Sequence, residues 1–336
     1  MRYLKILALV ILTVVVLLAV VIFFLAQKEK PAEIKYGMSF NTMYARELGL
    51  DWKETYDAII DDLGVRRLRL AAHWDMVEPV AGEYNFTELD YQLKKAEAVG
   101  AEVVLAVGRR LPRWPECHLP PWAKQLDIEK RNEAQLLYMT AVIERYKNNQ
   151  AVKIWQVENE PFLKAFAFEQ CGDLDEEFLD REITLVRSLD PDKPIIITDS
   201  GNLGMWAGAY KRGDIFGTSV YVHFWNPELG QFRTFLPAWF YRAKENLMAS
   251  LYGRRPAFLI ELSAEPWLVE PITKVPIAVQ FTRMDLEKFK DILTYAEATH
   301  FEYQYLWGAE WWYWLEKNGH AEFWEFGKTL YSKEDL

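Results

Sequence analysis

The chain has 336 residues, of which 51% are hydrophobic and 26% charged, with two cysteines. That composition excludes a disordered chain and a small disulfide scaffold, and it supplies enough apolar side chain for a large core. Lys plus Arg number 39 against 49 Asp plus Glu, a net charge of −10 with no long basic run, which argues against nucleic acid as a partner.

From Ile6 to Ala26 the chain is apolar except for Thr13, with Arg2 and Lys5 before the run and Gln27, Lys28, Glu29 and Lys30 after it. The length predicts a transmembrane helix, and the shorter apolar region and small-residue cleavage site of a removed signal peptide are not evident. Residues 1–30 therefore read as a cytoplasmic stub, a signal anchor crossing the membrane through residues 6–26, and a short linker. The basic residues at the start favour the N-terminus inside. Residues 31–336 would then lie outside the cytoplasm, on a single-pass protein of the cell membrane.

Beyond the linker, apolar runs of strand length alternate with amphipathic stretches. In chain order the expected strands are Ile34–Phe40, Val65–Ala71, Ala101–Val107, Val152–Val157, Pro194–Thr198, Ile215–Tyr221, Ala257–Ile260 and Glu302–Leu306. The expected helices are Trp52–Leu63, Glu88–Val99, Glu133–Tyr146, Glu176–Ser188, Leu203–Lys211, Leu236–Leu251, Ala278–Ala298 and Phe323–Tyr331. Eight of each predict an α/β domain, a (β/α)8 TIM barrel, rather than a doubly wound sheet with a Gly-rich phosphate loop after its first strand. No G-x-G-x-x-G or G-x-x-x-x-G-K motif occurs, and no internal repeat or Pro/Ser-rich linker divides residues 31–336.

In such a barrel the chemistry gathers at the C-terminal ends of the strands. The fourth strand runs into Asn159-Glu160-Pro161, and the seventh into Glu261 directly after Phe258-Leu259-Ile260. Two carboxyl groups held across the mouth suit glycoside hydrolysis, in which one protonates the leaving oxygen and the other attacks or activates water. There is no HExxH and no Cys/His cluster, so neither a metal nor an organic cofactor is expected.

Asn159-Glu160-Pro161 after strand four, Glu261 after strand seven and the segment Arg67–Asp90 together resemble the retaining glycoside hydrolases built on (β/α)8 barrels, of cellulase-like and β-galactosidase-like type. The resemblance covers about residues 34–315. It implies that Glu160 is the acid/base and Glu261 the nucleophile. It further implies that Arg69 lies near the nucleophile, that Asn159 bonds the sugar hydroxyl beside the reacting carbon, and that Tyr221 contacts Glu261, with His223 as an alternative. Trp307 falls where a sugar platform is expected, and Glu310 is a candidate acceptor for hydroxyls. Trp311, Trp312 and Trp314 divide between core, membrane-facing belt and ligand.

Rival carboxylates remain. Glu158 lies two residues before Glu160 and is expected on the same side, one layer deeper, as a partner of Arg69 or Lys153. Glu265 is the rival nucleophile, since strand ends are uncertain by a few residues. Cys117, after strand three, and Cys171, after strand four, lie in loops that can meet on one barrel face, so a disulfide is expected outside the cytoplasm, with two free buried thiols as the alternative. Arg109, Arg110, Trp114, Glu116 and His118 share the first of these loops and are possible sugar contacts. The function expected is a membrane-anchored retaining glycoside hydrolase acting on a β-linked oligo- or polysaccharide. A catalytically silent glycan-binding or envelope-scaffold barrel and a transglycosylase are the alternatives.

Overall fold

A computed structural model describes residues 2–27, 29–113, 115–164, 171–172 and 175–332; the side chains of residues 2, 4, 5, 8, 18 and 19 are outside that description. The first element is a 24-residue helix, Arg2–Leu25, along which large apolar side chains from Ile6 to Phe24 are exposed. Its end is tied to the domain: Asn246 Nδ2 donates to the carbonyls of Leu25 (2.8 Å) and Gln27 (2.9 Å), and Arg242 Nε to that of Ala26 (2.9 Å). These side chains supply partners to carbonyls that a helix C-terminus leaves open. The transmembrane segment expected from the sequence is not shown, because among the described residues no helix is long and apolar enough to cross a membrane.

The remaining chain closes a barrel of eight parallel strands. These are β1 (Lys35–Ser39), β2 (Arg67–Ala71), β3 (Glu102–Val107), β4 (Val152–Val157), β5 (Ile195–Asp199), β6 (Ile215–Val220), β9 (Ala257–Ser263) and β10 (Tyr303–Trp307). Between the sixth and seventh barrel strands lies an antiparallel hairpin, β7 (His223–Asn226) with β8 (Gly230–Arg233). The barrel strands are apolar on both faces because both are covered. Val104, Ile154, Ile196, Ile215, Phe258, Ile260, Tyr303 and Tyr305 fill the lumen, and a second, larger cluster packs the outer face against the helices.

Helix starts follow local capping: the Asp51, Asp127, Asp175 and Asp285 carboxylates each accept from a backbone N–H in the first turn. Asp285 also explains a departure from expectation. The predicted helix Ala278–Ala298 is two, Ile277–Arg283 and Leu286–Glu297, and Lys288 N donates to the Asp285 cap at 2.8 Å. The hairpin, not foreseen, is turned by Asn226, whose side chain accepts from Glu228 N (3.0 Å) and Leu229 N (2.6 Å), and by Gly230 at φ 71. After β10 an additional helix, Ala309–Lys317, buries Trp311 and Trp312 in the core, while Trp314 packs half-buried against it.

Candidate active site

Arg69 stands at the centre of the mouth, 2% exposed. Its guanidinium donates from Nε to Gln156 Oε1 (2.9 Å), from Nη2 to Asn159 Oδ1 (2.6 Å), and from Nη1 to Glu261 Oε2 (3.1 Å) and the Ile260 carbonyl (3.4 Å). A planar fork with fixed donors can hold several acceptors at once in this way. The other Glu261 oxygen, Oε1, accepts from the Tyr221 hydroxyl. Burial, followed by the Glu261 charge, pushes the Tyr221 phenol well above its ordinary range, so it stays a donor.

Glu261 reaches this position through a bulge. Ser219 pairs with Glu261 while the preceding Thr218 pairs with Leu259, so β9 carries one residue more than its neighbour at Ile260. Strict alternation would send Ile260 inward and Glu261 outward. Instead Ile260 joins the lumen cluster, Glu261 meets Arg69, and Leu262 returns to the outer core. An inserted residue that re-aims a side chain is a common use of a bulge. The strand therefore continues to Ser263, past the expected end at Ile260.

Glu160 is on the opposite wall. Its backbone N–H donates to Thr198 Oγ1 (2.8 Å), and its Oε1 accepts from Ser219 Oγ (2.7 Å). Burial, then the charges of Glu261 and Glu116, raise its carboxyl well above the usual range. Glu158 and Glu160 adopt φ 57 and 44, and this left-handed backbone breaks the alternation expected after β4. Glu158 consequently does not meet Arg69 or Lys153. It accepts from the backbone N–H groups of Arg109 (3.0 Å) and Arg110 (2.6 Å) and from Gln135 Nε2 (2.7 Å). Gly108 makes room for it, since a Cβ there would lie 2.5 Å from the Glu158 carboxyl carbon.

The remaining expectations divide. Trp307, half-buried at the end of β10, lies 6.3 Å from the Tyr221 ring, and its indole N–H is buried with no partner among the described residues. Arg113 lies 5.1 Å from the Trp307 ring and 3.2 Å from the Tyr44 ring, and pairs with Glu265 at 2.8 Å. Glu265 is therefore engaged away from Arg69. Glu310 accepts from Asn41 N at 2.6 Å, and burial pushes its carboxyl to about 7. His223 is not beside Glu261: it belongs to the hairpin and pairs with Asp291 at 2.9 Å, because the chain leaves the barrel after β6. Trp114 lies outside the described residues. Cys117 and Cys171 are joined, with Cα atoms 5.4 Å apart.

Gln156, Thr198 and Ser219 went unread in the sequence, although polar side chains inside apolar strands were the available signal. A surface hollow of about 600 Å3 between Asp51, Lys53, Glu54, Asp57, Tyr91 and Tyr313 contains none of the mouth residues. Among the described residues no His, Cys, Asp or Glu group is arranged to hold a metal ion.

Similarity to known proteins follows the same lines. A family model described as β-galactosidase, of glycoside hydrolase type 42, matches residues 50–133, a stretch that ends before both glutamates. β-Galactosidase BgaA of Clostridium cellulovorans is 23% identical over 172 residues, covering 45% of this chain and 25% of that protein. The chain thus spans about a quarter of that relative's length. The fold is similar to that of a GH5_18 protein from Bifidobacterium longum subsp. infantis, at TM-score 0.57 and 14% identity over 82% of this chain and 69% of the other. A cold-adapted β-galactosidase from Rahnella sp. R3 gives 0.56 and 14% over 83% and 52%. A family 10 endo-β-1,4-xylanase from Gloeophyllum trabeum gives 0.53 and 17% over 82% and 85%. The class these features define is the closed (β/α)8 barrel with two carboxyl groups at its mouth. Within it, the chain is similar to cellulase-like and β-galactosidase-like members.

Proposed function

We propose that the protein is a membrane-anchored retaining glycosidase that cleaves a β-linked glycan of the cell envelope or its surroundings. One observation carries the reading: two carboxyl groups share the mouth in opposed environments. Both Glu261 oxygens are held by Arg69 and Tyr221, whereas Glu160 is buried beside that charge and keeps its proton. Environments that separate an acid from a nucleophile assign the roles.

In the first step the Glu160 proton passes to the glycosidic oxygen while a Glu261 oxygen attacks the anomeric carbon. The bond to the leaving group breaks with its electrons on that oxygen. Glu160, now a carboxylate, then takes a proton from water, whose oxygen displaces Glu261. Asn159 has its carbonyl oxygen occupied by Arg69 and Gln156. Its amide N–H is thereby oriented to donate to the adjacent sugar hydroxyl, and Trp307 offers a ring to the sugar face.

The anchor is read from the sequence alone, from the apolar run of residues 6–26, interrupted only by Thr13. The disulfide agrees with a domain outside the cytoplasm.

The test is a panel of aryl glycosides and β-glycans, followed by azide rescue. Glu160→Ala should retain turnover best on activated leaving groups and give a glycosyl azide of retained configuration. Glu261→Ala should lose turnover and give the inverted azide. If both variants match the parent on every substrate it cleaves, the mechanism is wrong.

A further inference from the structure

The mouth holds a third carboxylate to which the mechanism gives no task. Glu116 sits on a hairpin whose two arms are residues 109–111 and 116–118. Leu111 N donates to the Glu116 carbonyl (2.8 Å), His118 N to that of Arg109 (2.8 Å), and Arg110 bridges to Cys117 in antiparallel register. Glu116 itself is left-handed, at φ 60, a conformation uncommon for a residue with a Cβ and one its surroundings must hold. The next residue, Cys117, is bonded to Cys171 in the loop that follows Glu160.

The Glu116 carboxylate is gripped by Arg110, whose Nη2 and Nε lie 3.2 and 3.4 Å from Oε2. Arg110 is built into the Glu160 turn. Its Nη1 donates to the Leu163 carbonyl (2.6 Å), its carbonyl accepts from Asn159 N (2.7 Å), and Leu163 N donates to the Glu160 carbonyl (2.9 Å). Glu116 is thus fixed to the segment bearing Glu160 through one guanidinium and to the following loop through one disulfide. Among the described residues, the groups that face Glu160 include Ser219 from β6, Tyr221 directly after it, Thr198 from β5, Glu261 from β9, and Arg110 and Glu116 from the hairpin. Among them Glu116 and Glu261 are the carboxylates, and neighbouring carboxylates do not all ionise together.

We propose that Glu116 is a positioning residue whose negative charge keeps the proton on Glu160, and that the Cys117–Cys171 bridge holds it there. The inference rests on Glu160 being the acid/base. Burial and Glu261 also act on Glu160, so Glu116 supplies one part of its upward displacement; burial raises the Glu116 carboxyl too, and the Arg110 guanidinium opposes that rise and favours its charged form. The direction follows from the sign: removing a negative neighbour lets Glu160 lose its proton at lower pH, and the acid step fails earlier as pH rises.

The test uses the full chain with Glu116→Gln, Cys171→Ser and the double variant. The first readout is the pH profile of kcat/KM on an aryl glycoside with a poor leaving group. Glu116→Gln should move the alkaline limb down by about one pH unit, about tenfold in rate on that side. Cys171→Ser should move the limb the same way, and the double variant should move it no further than the larger single shift, as for groups acting in series. The second readout needs no turnover: the Glu160 carboxyl carbon, identified by its disappearance in Glu160→Gln, should titrate at lower pH in Glu116→Gln by 13C resonance. An unmoved carboxyl titration in Glu116→Gln overturns the positioning role whatever the activity. Additive limb shifts overturn the part assigned to the bridge. A moved titration in a protein that cleaves no glycoside leaves the electrostatic link standing and overturns the glycosidase reading instead.

Discussion

Replacing Arg69 by Met keeps much of its volume and removes its charge and all its donors. Three side-chain acceptors then lose a partner: Gln156 Oε1, Asn159 Oδ1 and Glu261 Oε2, formerly at 2.9, 2.6 and 3.1 Å. The Glu261 side chain is 15% exposed, so its charge cannot be rehydrated without opening the mouth. Breaking a buried ion pair by deleting one partner costs about 3–5 kcal/mol. Removing the partner of a neutral buried acceptor costs about 1–3 kcal/mol more, a loss that falls on Gln156 Oε1, since Asn159 Oδ1 keeps its bond from Gln156 Nε2. With Tm falling about 2 °C per kcal/mol in a chain of this size, a loss of roughly 8–16 °C is expected for Arg69→Met. The assay is thermal melting at one scan rate, since large barrels can unfold irreversibly. The decisive comparison is Arg69→Met/Glu261→Gln, which removes the stranded charge. It should melt above Arg69→Met alone, with a coupling of about 2 kcal/mol or more. A melting point for Arg69→Met within a degree of the parent, or a double variant no better than the single, would refute the claim that Arg69 neutralises Glu261.

Three other outcomes follow from the structure. Glu310 is neutral when folded up to about pH 7 against an ordinary 4.5; its contribution to stability is complete below pH 4.5, declines above that, and is gone above about pH 7. Urea titrations across this window should show a slope that Glu310→Gln removes, and parallel curves would reject it. The disulfide closes a separation of 54 residues, so Cys171→Ser should cost about 4 kcal/mol in the chain-entropy account, and non-reducing peptide mapping should recover the Cys117–Cys171 pair; two alkylatable thiols in unreduced protein would reject it. Protease added to intact cells should digest residues 31–336, whereas protection until the membrane is broken would reverse the topology.

Much of the barrel was legible because strand and helix periodicity is local, and an apolar run buried on both faces reads as a strand wherever it packs. The signals at Asn159-Glu160-Pro161 and Arg69 were also readable, since each lies on a strand end whose position the pattern gives. Glu158 was misplaced because alternation was carried past β4, where left-handed backbone at Glu158 and Glu160 ends it. The hairpin was missed because its eleven residues, His223–Arg233, lie in what the apolar pattern leaves as a connection.

The sequence by itself determined that two glutamates would stand at the mouth of one barrel, together with an arginine and two cysteines in neighbouring loops. Tertiary structure decided which carboxylate meets which base. Glu261 turns inward because β9 holds an extra residue against both neighbours, and Glu265, four residues on, is drawn to Arg113 from another loop. Those choices depend on the register between strands that are distant in the chain, and a side-chain period of two cannot encode a one-residue slip that only a neighbouring strand imposes.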